Sequence, residues 1–290
     1  MKKIACWIEA MRLRTLPVSV AGVIVAAAYG KVFYHFNLSP VLLCLALAVL
    51  AQIASNFANE YYDYKAGMDK PGREGPRRGV TEGDISPAAM RNAAFITLLL
   101  ACAVGCCLIQ WGGLWLIAAG IVIALGALAY SSGPYPLSHH ALGEVAVIFF
   151  FGIVPVNLTY YLQSGNFNTD VLMGSRAIGL MGANVLIVNN YRDLEDDQDV
   201  GKRTLAVAIG RTRIASLYGI GGLAAVTLMM PAWTKFEAWH ALFPLAYLVL
   251  HTLLWTAMSK RRGAALNPLL GATAVLMLAY SLSFLYCAFA

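Results

Sequence analysis

Residues 40–69 read PVLLCLALAVLAQIASNFANEYYDYKAGMD, and this stretch decides the fold. Its first part is an apolar run, and its last part carries Asn56, Asn59, Asp63 and Asp69. A run of about 20 apolar residues is long enough to cross a bilayer as a helix. Because charged groups beside a bilayer are costly, acidic groups at the end of such a helix indicate a functional site.

A second stretch, residues 171–199, has the same organisation, with an apolar run that ends in a polar cluster. Both stretches place three polar side chains at i, i+3 and i+7: Asn56, Asn59 and Asp63 in the first, and Asn190, Asp193 and Asp197 in the second. This spacing predicts that each trio lies on one face of a helix. We therefore predict one domain over residues 1–290, built from two pseudo-repeated helical halves.

The composition extends this interpretation to the whole chain. Of the 290 residues, 59% are hydrophobic and only 12% are charged, whereas soluble domains have about 25% charged residues. Backbone polar groups must be satisfied within the segment when it lies in lipid, so the predicted fold is an all-α, polytopic membrane helical bundle. The nine predicted spans are 15–35, 40–62, 88–109, 113–131, 142–163, 171–191, 213–231, 238–258 and 267–289.

The distribution of basic residues predicts the orientation in the membrane. The N-terminus and the loops after the second, sixth and eighth spans carry 18 of the 21 lysines and arginines. The positive-inside rule then places the N-terminus and the two long polar loops, 64–87 and 192–212, in the cytoplasm. We expect an integral protein of the cytoplasmic membrane whose site faces the cytoplasm. The basic net charge follows from this bias and does not indicate a nucleic-acid partner.

The two polar clusters carry oxygen ligands of the kind that hard divalent cations prefer. We expect Mg2+ to be held by these side chains: Asn59, Asp63, Asp69, Asn190, Asp193 and Asp197. A diphosphate fits between acidic clusters only if metal offsets its charge, and neighbouring cations suit its non-bridging oxygens. The predicted diphosphate ligands are Lys65, Arg73, Arg77, Arg192, Lys202 and Arg203. The outlying acids are better explained as solvated loop charges; they are Glu74, Glu82, Asp84 and Asp199.

The same residues carry a family resemblance. Asn59-x3-Asp63-x5-Asp69 and Asn190-x2-Asp193-x3-Asp197 resemble the two Asp-rich motifs of the UbiA superfamily of intramembrane prenyltransferases. Stretches that look like its MenA branch are Arg12-x-Arg14-Thr-Leu-Pro17, Arg73-Glu-Gly-Pro-Arg77, Tyr130-Ser-Ser-Gly-Pro-Tyr-Pro-Leu137 and Gly201-Lys-Arg-Thr-Leu-Ala206. Two positions depart from the superfamily pattern, because Glu60 and Gly67 stand where many members have aspartate.

The resemblance implies an Mg2+-dependent transfer of a polyprenyl group from polyprenyl diphosphate to 1,4-dihydroxy-2-naphthoate. Diphosphate and carbon dioxide would leave, giving demethylmenaquinone. The acceptor pocket cannot be identified from the sequence, so 4-hydroxybenzoate, homogentisate or haem are alternative acceptors on the same fold. Alternatives from other classes are a transporter and a phosphatidyltransferase. However, the acids cluster at one face and not at mid-depth, and the DGxxAR opening of the latter is absent.

Asp63 and Asp193 are the carboxylates expected to be catalytic. Tyr130 is expected either to stabilise a developing cation and contact the aromatic acceptor, or to serve as an interfacial anchor. Arg14 is expected either to contact the aromatic acid or a phosphate, or to extend to lipid headgroups.

Overall fold

The computed structural model describes residues 2–69 and 74–290, and within these ranges every regular element is helical. The first helices are α1 (Lys2–Met11), α2 (Leu16–Phe33), α3 (Leu38–Lys65), α4 (Pro87–Cys107), α5 (Ile109–Gly112), α6 (Leu116–Ala129) and α7 (Gly143–Val147). The remaining helices are α8 (Val154–Ser164), α9 (Thr169–Arg192), α10 (Leu194–Asp199), α11 (Leu205–Ile209), α12 (Arg211–Trp233), α13 (Leu242–Lys260) and α14 (Asn267–Phe289). The predicted all-α fold is confirmed.

Eight helical segments among the described residues are long and apolar enough to cross a membrane. In three of them, two α-helices are joined: α1 with α2 through a 3-10 turn, α4 with α5 at Leu108, and α7 with α8 through a π-helical segment at Ile148–Ile153. The remaining predicted span, 113–131, corresponds to α6, whose 14 residues measure roughly 21 Å along the axis. Each predicted span therefore matches an apolar helix, although α6 is shorter than the hydrocarbon core.

The helix boundaries follow local chemistry. The side chains of Asn37, Ser86 and Asn168 accept hydrogen bonds from the first backbone N–H groups of α3, α4 and α9. These groups have no partner within the helix, so a polar side chain immediately before the helix determines where it starts. Pro87 occupies the first position of α4, where its missing N–H costs nothing.

The largest hydrophobic core is built around α9, which packs against α2, α12 and α14. Its largest fully buried side chains include Tyr29, Tyr191, Tyr218 and Phe284. On the other side of the molecule α3 packs along α4, and the N-terminal helix α1 joins them. There the edge of Trp7 meets the ring of Phe57 at 5.6 Å between centroids.

One prediction about the second cluster is wrong in detail. Helix α9 ends at Arg192, Asp193 caps it in a non-helical conformation, and Asp197 lies on the separate helix α10. The trio at i, i+3 and i+7 therefore occupies one continuous helix only in the first cluster. The long loops also contain structure, because 192–212 includes α10 and α11.

Helices α3 and α9 end at the same face of the bundle, because Asp63 near the end of α3 contacts Lys202, which follows α9 and α10, and also contacts His139. We call it the site face. It is formed by the C-terminal ends of α3 and α9 and by segments 66–69, 74–86, 130–142 and 193–210.

Candidate active site

Asp63 lies at the centre of the site face and is completely buried. Its Oδ2 accepts a hydrogen bond from Asn59 Nδ2 at 3.0 Å and lies 3.3 Å from Lys202 Nζ, while its Oδ1 lies 3.1 Å from His139 Nε2. These partners come from α3 itself, from the segment after α10 and from the segment after α6. A buried carboxylate needs such charged and hydrogen-bonding partners, and Asp63 thereby connects the two halves of the chain.

Asn59 connects Asp63 to a second cation. Its Nδ2 also donates to Ser131 Oγ at 2.9 Å, and its Oδ1 accepts from Arg12 Nη2 at 2.6 Å and from Arg78 Nη2 at 3.5 Å. Arg12 has a backbone φ of 53°, in the left-handed region that residues other than glycine rarely adopt. Strained conformations of this kind concentrate at functional sites.

Asp69 and Glu60 organise the segment that follows α3. The carboxylate of Asp69 pairs with Arg78, with Oδ2 at 3.4 Å from Nε. Glu60 is buried, and its Oε1 accepts from the backbone N–H of Val80 at 3.1 Å. Glu74 is exposed, as expected of a solvated charge, and its Oε2 accepts a hydrogen bond from the backbone N–H of Ala264 at 2.7 Å. Segment 74–86 is thus fastened to both halves of the bundle.

In the second cluster Asp193 is held by its neighbour. Arg192 donates from Nε to Oδ1 at 2.6 Å and from Nη2 to Oδ2 at 2.7 Å, a bidentate charge-assisted pair. Arg192 also donates to Asn189 and Asn267. Asp197 is buried one turn along, and its backbone carbonyl accepts from the N–H of Lys202 at 2.8 Å.

Asn190 does not point toward the other members of its cluster. Its Nδ2 donates to Glu144 Oε1 on α7 at 2.8 Å, and both side chains are buried. On the outer side of α10, hydrogen bonds from Arg211 lower the pKa of the Glu195 carboxyl. That contact fastens α10 to the start of α12.

Two cavities meet beneath these groups. The polar cavity, of about 150 Å³, is lined on one side by Arg12, Asn59, Arg78, Asn189, Asn190, Asp193 and Lys202. The apolar cavity, of about 330 Å³, lies between α3, α4, α6 and α8. Four residues line both cavities, namely Gln52, Ser55, Tyr130 and Phe151. The two spaces therefore adjoin, and Tyr130 lies at their junction.

Within the described residues no three His, Cys, Asp or Glu side chains are grouped closely enough to hold a metal ion by themselves. Mg2+ commonly keeps several waters and takes one or two carboxylates together with substrate phosphates. The oxygen donors present fit that coordination, because Asn59 and Asp193 line the polar cavity, Asp63 is hydrogen-bonded to Asn59, and Asp197 lies one turn from Asp193. Asp69 and Asn190 are engaged with Arg78 and Glu144.

The predicted diphosphate ligands differ in where they lie. Lys202 lines the polar cavity, whereas Arg192 is buried in its contacts with Asp193, Asn189 and Asn267. Three of the predicted ligands are exposed: Lys65, Arg77, which pairs with Asp84, and Arg203. Arg73 lies outside the described residues.

Arg14 is exposed and does not line the polar cavity, so the structure does not bring it to the other predicted site residues. The left-handed turn at Arg12 brings that side chain into the cavity. Sequence reasoning assigned no role to His139 or Ser131 and gave Glu144 little weight. For His139 the only signal was its place in the single His-His pair of the chain. The contacts that define these residues join distant parts of the chain.

A bundle of membrane-length helices with a cationic and acidic cavity adjoining an apolar one defines an integral membrane protein suited to an amphipathic, anionic ligand. The profile of the UbiA prenyltransferase family matches residues 15–269, and the chain belongs to this family. The prediction made from the two Asp-rich motifs is thus confirmed.

Some known proteins are similar to this chain in sequence, and others are similar in fold. It is 34% identical over 278 residues to the 1,4-dihydroxy-2-naphthoate octaprenyltransferase of Escherichia coli K12, covering 92% of this chain and 89% of that protein. For the enzyme of the same name from Haemophilus influenzae the identity is 30%, with 98% and 95% covered. A UbiA homologue from Archaeoglobus fulgidus, solved with GPP and Mg2+, has a TM-score of 0.66 at 17% identity, with 97% and 99% covered. This last similarity shows the fold.

Proposed function

We propose that this protein transfers a polyprenyl group from polyprenyl diphosphate to 1,4-dihydroxy-2-naphthoate. Diphosphate and carbon dioxide leave, and the product is a prenylated naphthalene-1,4-diol, the reduced form of demethylmenaquinone. The observation that carries the proposal is the meeting of a charged cavity with an apolar cavity at Tyr130. A prenyl diphosphate has a charged head and an apolar tail, and its reacting carbon lies between them.

The charged cavity suits the diphosphate head. Arg12, Arg78 and Lys202 line it, and each contacts Asn59 or Asp63. Preorganised cations in a water-poor site stabilise charge that develops on a leaving group far better than water does. The guanidinium groups of Arg12 and Arg78 bind non-bridging oxygens of the departing diphosphate, and the Lys202 ammonium adds a point charge.

We also propose that the site uses Mg2+. Asp63 with Asn59, and Asp193 with Asp197, are the side chains that would hold it. When bound, a divalent cation neutralises charge on the diphosphate and so assists its departure. The Mg2+ named with the Archaeoglobus fulgidus homologue supports this part of the proposal.

The apolar cavity suits the isoprenoid tail and protects the reaction. An allylic cation is captured quickly by water, and exclusion of water from an active site prevents such side reactions. Tyr130, half-buried between the cavities, presents an aromatic ring where positive charge develops. The electron-rich ring of the acceptor then attacks the allylic carbon.

The acceptor and the orientation rest on different observations. Several relatives are named 1,4-dihydroxy-2-naphthoate octaprenyltransferases, which supports the naphthoate. The loops of the site face and the N-terminal segment carry most of the basic residues. By the positive-inside rule we propose that the site faces the cytoplasm from the cytoplasmic membrane.

Product analysis by mass spectrometry tests the function. The purified protein in detergent receives Mg2+, a polyprenyl diphosphate and 1,4-dihydroxy-2-naphthoate, with and without chelator. We expect a prenylated naphthoquinone after air oxidation, lost on chelation and restored by excess Mg2+. If product forms with 4-hydroxybenzoate or homogentisate and none forms with 1,4-dihydroxy-2-naphthoate, the assignment of the acceptor is wrong. If product still forms in the presence of chelator, the proposed metal requirement is wrong.

A further inference from the structure

Among the described residues, three buried polar atoms on the wall of the polar cavity have neither a hydrogen-bond partner nor an ion-pair partner. They are Gln52 Oε1, Ser138 Oγ and Glu144 Oε2, and each belongs to a side chain that is at least nine-tenths buried. A buried polar atom without a partner costs free energy, so such atoms gathered on one cavity indicate a ligand that satisfies them.

Glu144 is the most specific of the three. Its Oε1 already accepts a hydrogen bond from Asn190 Nδ2 at 2.8 Å, which fixes the orientation of the carboxylate. Its Oε2 is left for a further donor. The neighbouring Gly143 leaves space beside Tyr130, whose Oη would be 3.6 Å from a Cβ at that position.

The surroundings of Glu144 select the kind of ligand. A carboxylate repels a diphosphate. The cations that attract a diphosphate are Arg12, Arg78 and Lys202, and these contact Asn59 or Asp63. Glu144 is hydrogen-bonded to Asn190 and to none of these residues. The cavity also has apolar walls from Val147, Val185 and Leu186. A flat aromatic ring with a hydroxyl group on its edge satisfies both features, because the ring contacts the apolar walls and the hydroxyl donates.

We propose that Glu144 Oε2 accepts a hydrogen bond from a ring hydroxyl of the aromatic acceptor and so determines which acceptors bind. Glu144 is thus an acceptor-binding residue that supplements Tyr130. The inference rests on the proposed function, since it names a contact for the acceptor of that reaction.

The test compares the natural acceptor with its two singly hydroxylated analogues, 1-hydroxy-2-naphthoate and 4-hydroxy-2-naphthoate, as competitive inhibitors. In the unmodified protein we expect one analogue to bind about tenfold or more weakly than 1,4-dihydroxy-2-naphthoate, because it lacks the donor that Glu144 requires. In Glu144→Ala the difference in binding between the acceptor and this analogue disappears. The reason is that the KM for the acceptor rises to about the inhibition constant of the analogue. The KM for polyprenyl diphosphate stays within about twofold, since the hydrogen bond of Glu144 is to Asn190 and not to Arg12, Arg78 or Lys202.

Glu144→Gln keeps the shape of the side chain, so it provides the same measurement if the alanine variant is poorly folded. Its amide can donate to the substrate hydroxyl while its oxygen keeps Asn190, so we expect an intermediate loss. Glu195→Ala is the matched control, because Glu195 is exposed and pairs with Arg211 on the outer side of α10.

Two results would overturn the inference. One is discrimination between the analogues that persists in both Glu144 variants, and the other is a rise in the diphosphate KM with an unchanged acceptor KM. The proposed function fails differently, through absence of naphthoate turnover by the unmodified protein.

Discussion

Asp63 is held by three side chains from three separate segments, namely Asn59, His139 and Lys202. These partners belong to α3, to the segment after α6 and to the segment after α10. At the scale of single residues, loss of the Asp63 charge should therefore affect contacts with all three segments.

Replacing Asp63 by asparagine should lower kcat at least about 100-fold, the order of loss found when one electrostatic group of an active site is removed. The change keeps the shape of the side chain and removes the charge that Lys202 and His139 face. Steady-state rates on purified protein give the measurement. Asp199→Asn is the matched control, because Asp199 is exposed at the end of α10 and should retain near-normal kcat. Normal turnover in Asp63→Asn would remove this residue from the site.

Arg12 and Arg14 form a natural pair for comparison. Arg12→Ala should raise the KM for polyprenyl diphosphate about tenfold or more, because a charge-assisted contact in the cavity is lost. Arg14→Ala should change it less than about twofold, because Arg14 is exposed outside the cavity. The reverse order would restore the original sequence-based assignment.

At the scale of elements, the π-helical segment Ile148–Ile153 crosses α9 at very short distance. This crossing sets the distance between the wall of the polar cavity and the core around α9. A Cβ on Gly152 would lie 2.4 Å from the backbone oxygen of Ser175, and one on Gly179 would lie 2.8 Å from that of Ile148. Only glycine allows the two backbones to approach so closely. Because Phe151 of the π-helical segment and the adjacent Val147 of α7 line the polar cavity, the crossing also positions that wall.

Gly152→Ala should therefore lower the free energy of unfolding by about 1–3 kcal/mol, the typical cost of an added methyl group in a packed interior. Thermal unfolding in detergent measures the change as a lower midpoint. Gly271→Ala on α14 is the control, since a Cβ there meets nothing within 4 Å. Alanine is the better helix former, so the control should be neutral or slightly stabilising. Equal unfolding midpoints for the two variants would contradict the close approach of the two backbones at Gly152.

At the scale of the whole molecule, the site joins the two halves of the chain. Asp63 on α3 and Lys202 after α10 form a contact between residues 139 positions apart. The polar cavity likewise takes lining residues from both halves. We therefore propose that residues 1–290 form a single domain, because neither half alone encloses the site.

The adjoining cavities lead to a prediction about chain length. Ala101 on α4 is buried and lines the apolar cavity, whereas Leu100 beside it is exposed and does not. Ala101→Trp should lower kcat/KM for a long polyprenyl diphosphate about tenfold or more and spare geranyl diphosphate, because the added ring occupies the path of the tail. Leu100→Trp should affect neither substrate. Equal losses with both substrates would indicate a general packing defect.

The sequence by itself determined the membrane character, the all-α class, the positions of the spans and the two polar clusters. The physical reason is that lipid imposes strong local rules, so each helix must be long, apolar and internally hydrogen-bonded. Charged residues that break these rules stand out for the same reason. Family membership followed too, since its motifs are short and contiguous in the chain.

Only the tertiary structure decided which side chains meet. It selected Arg12 over Arg14, brought His139 to Asp63 and Glu144 to Asn190, and separated Asp197 from α9 onto its own helix. These outcomes depend on a strained backbone angle, a helix end and contacts between residues far apart in the chain. The spacing of residues along one helix shows only which side chains share a face of that helix. It therefore does not predict which side chain of a neighbouring element contacts them.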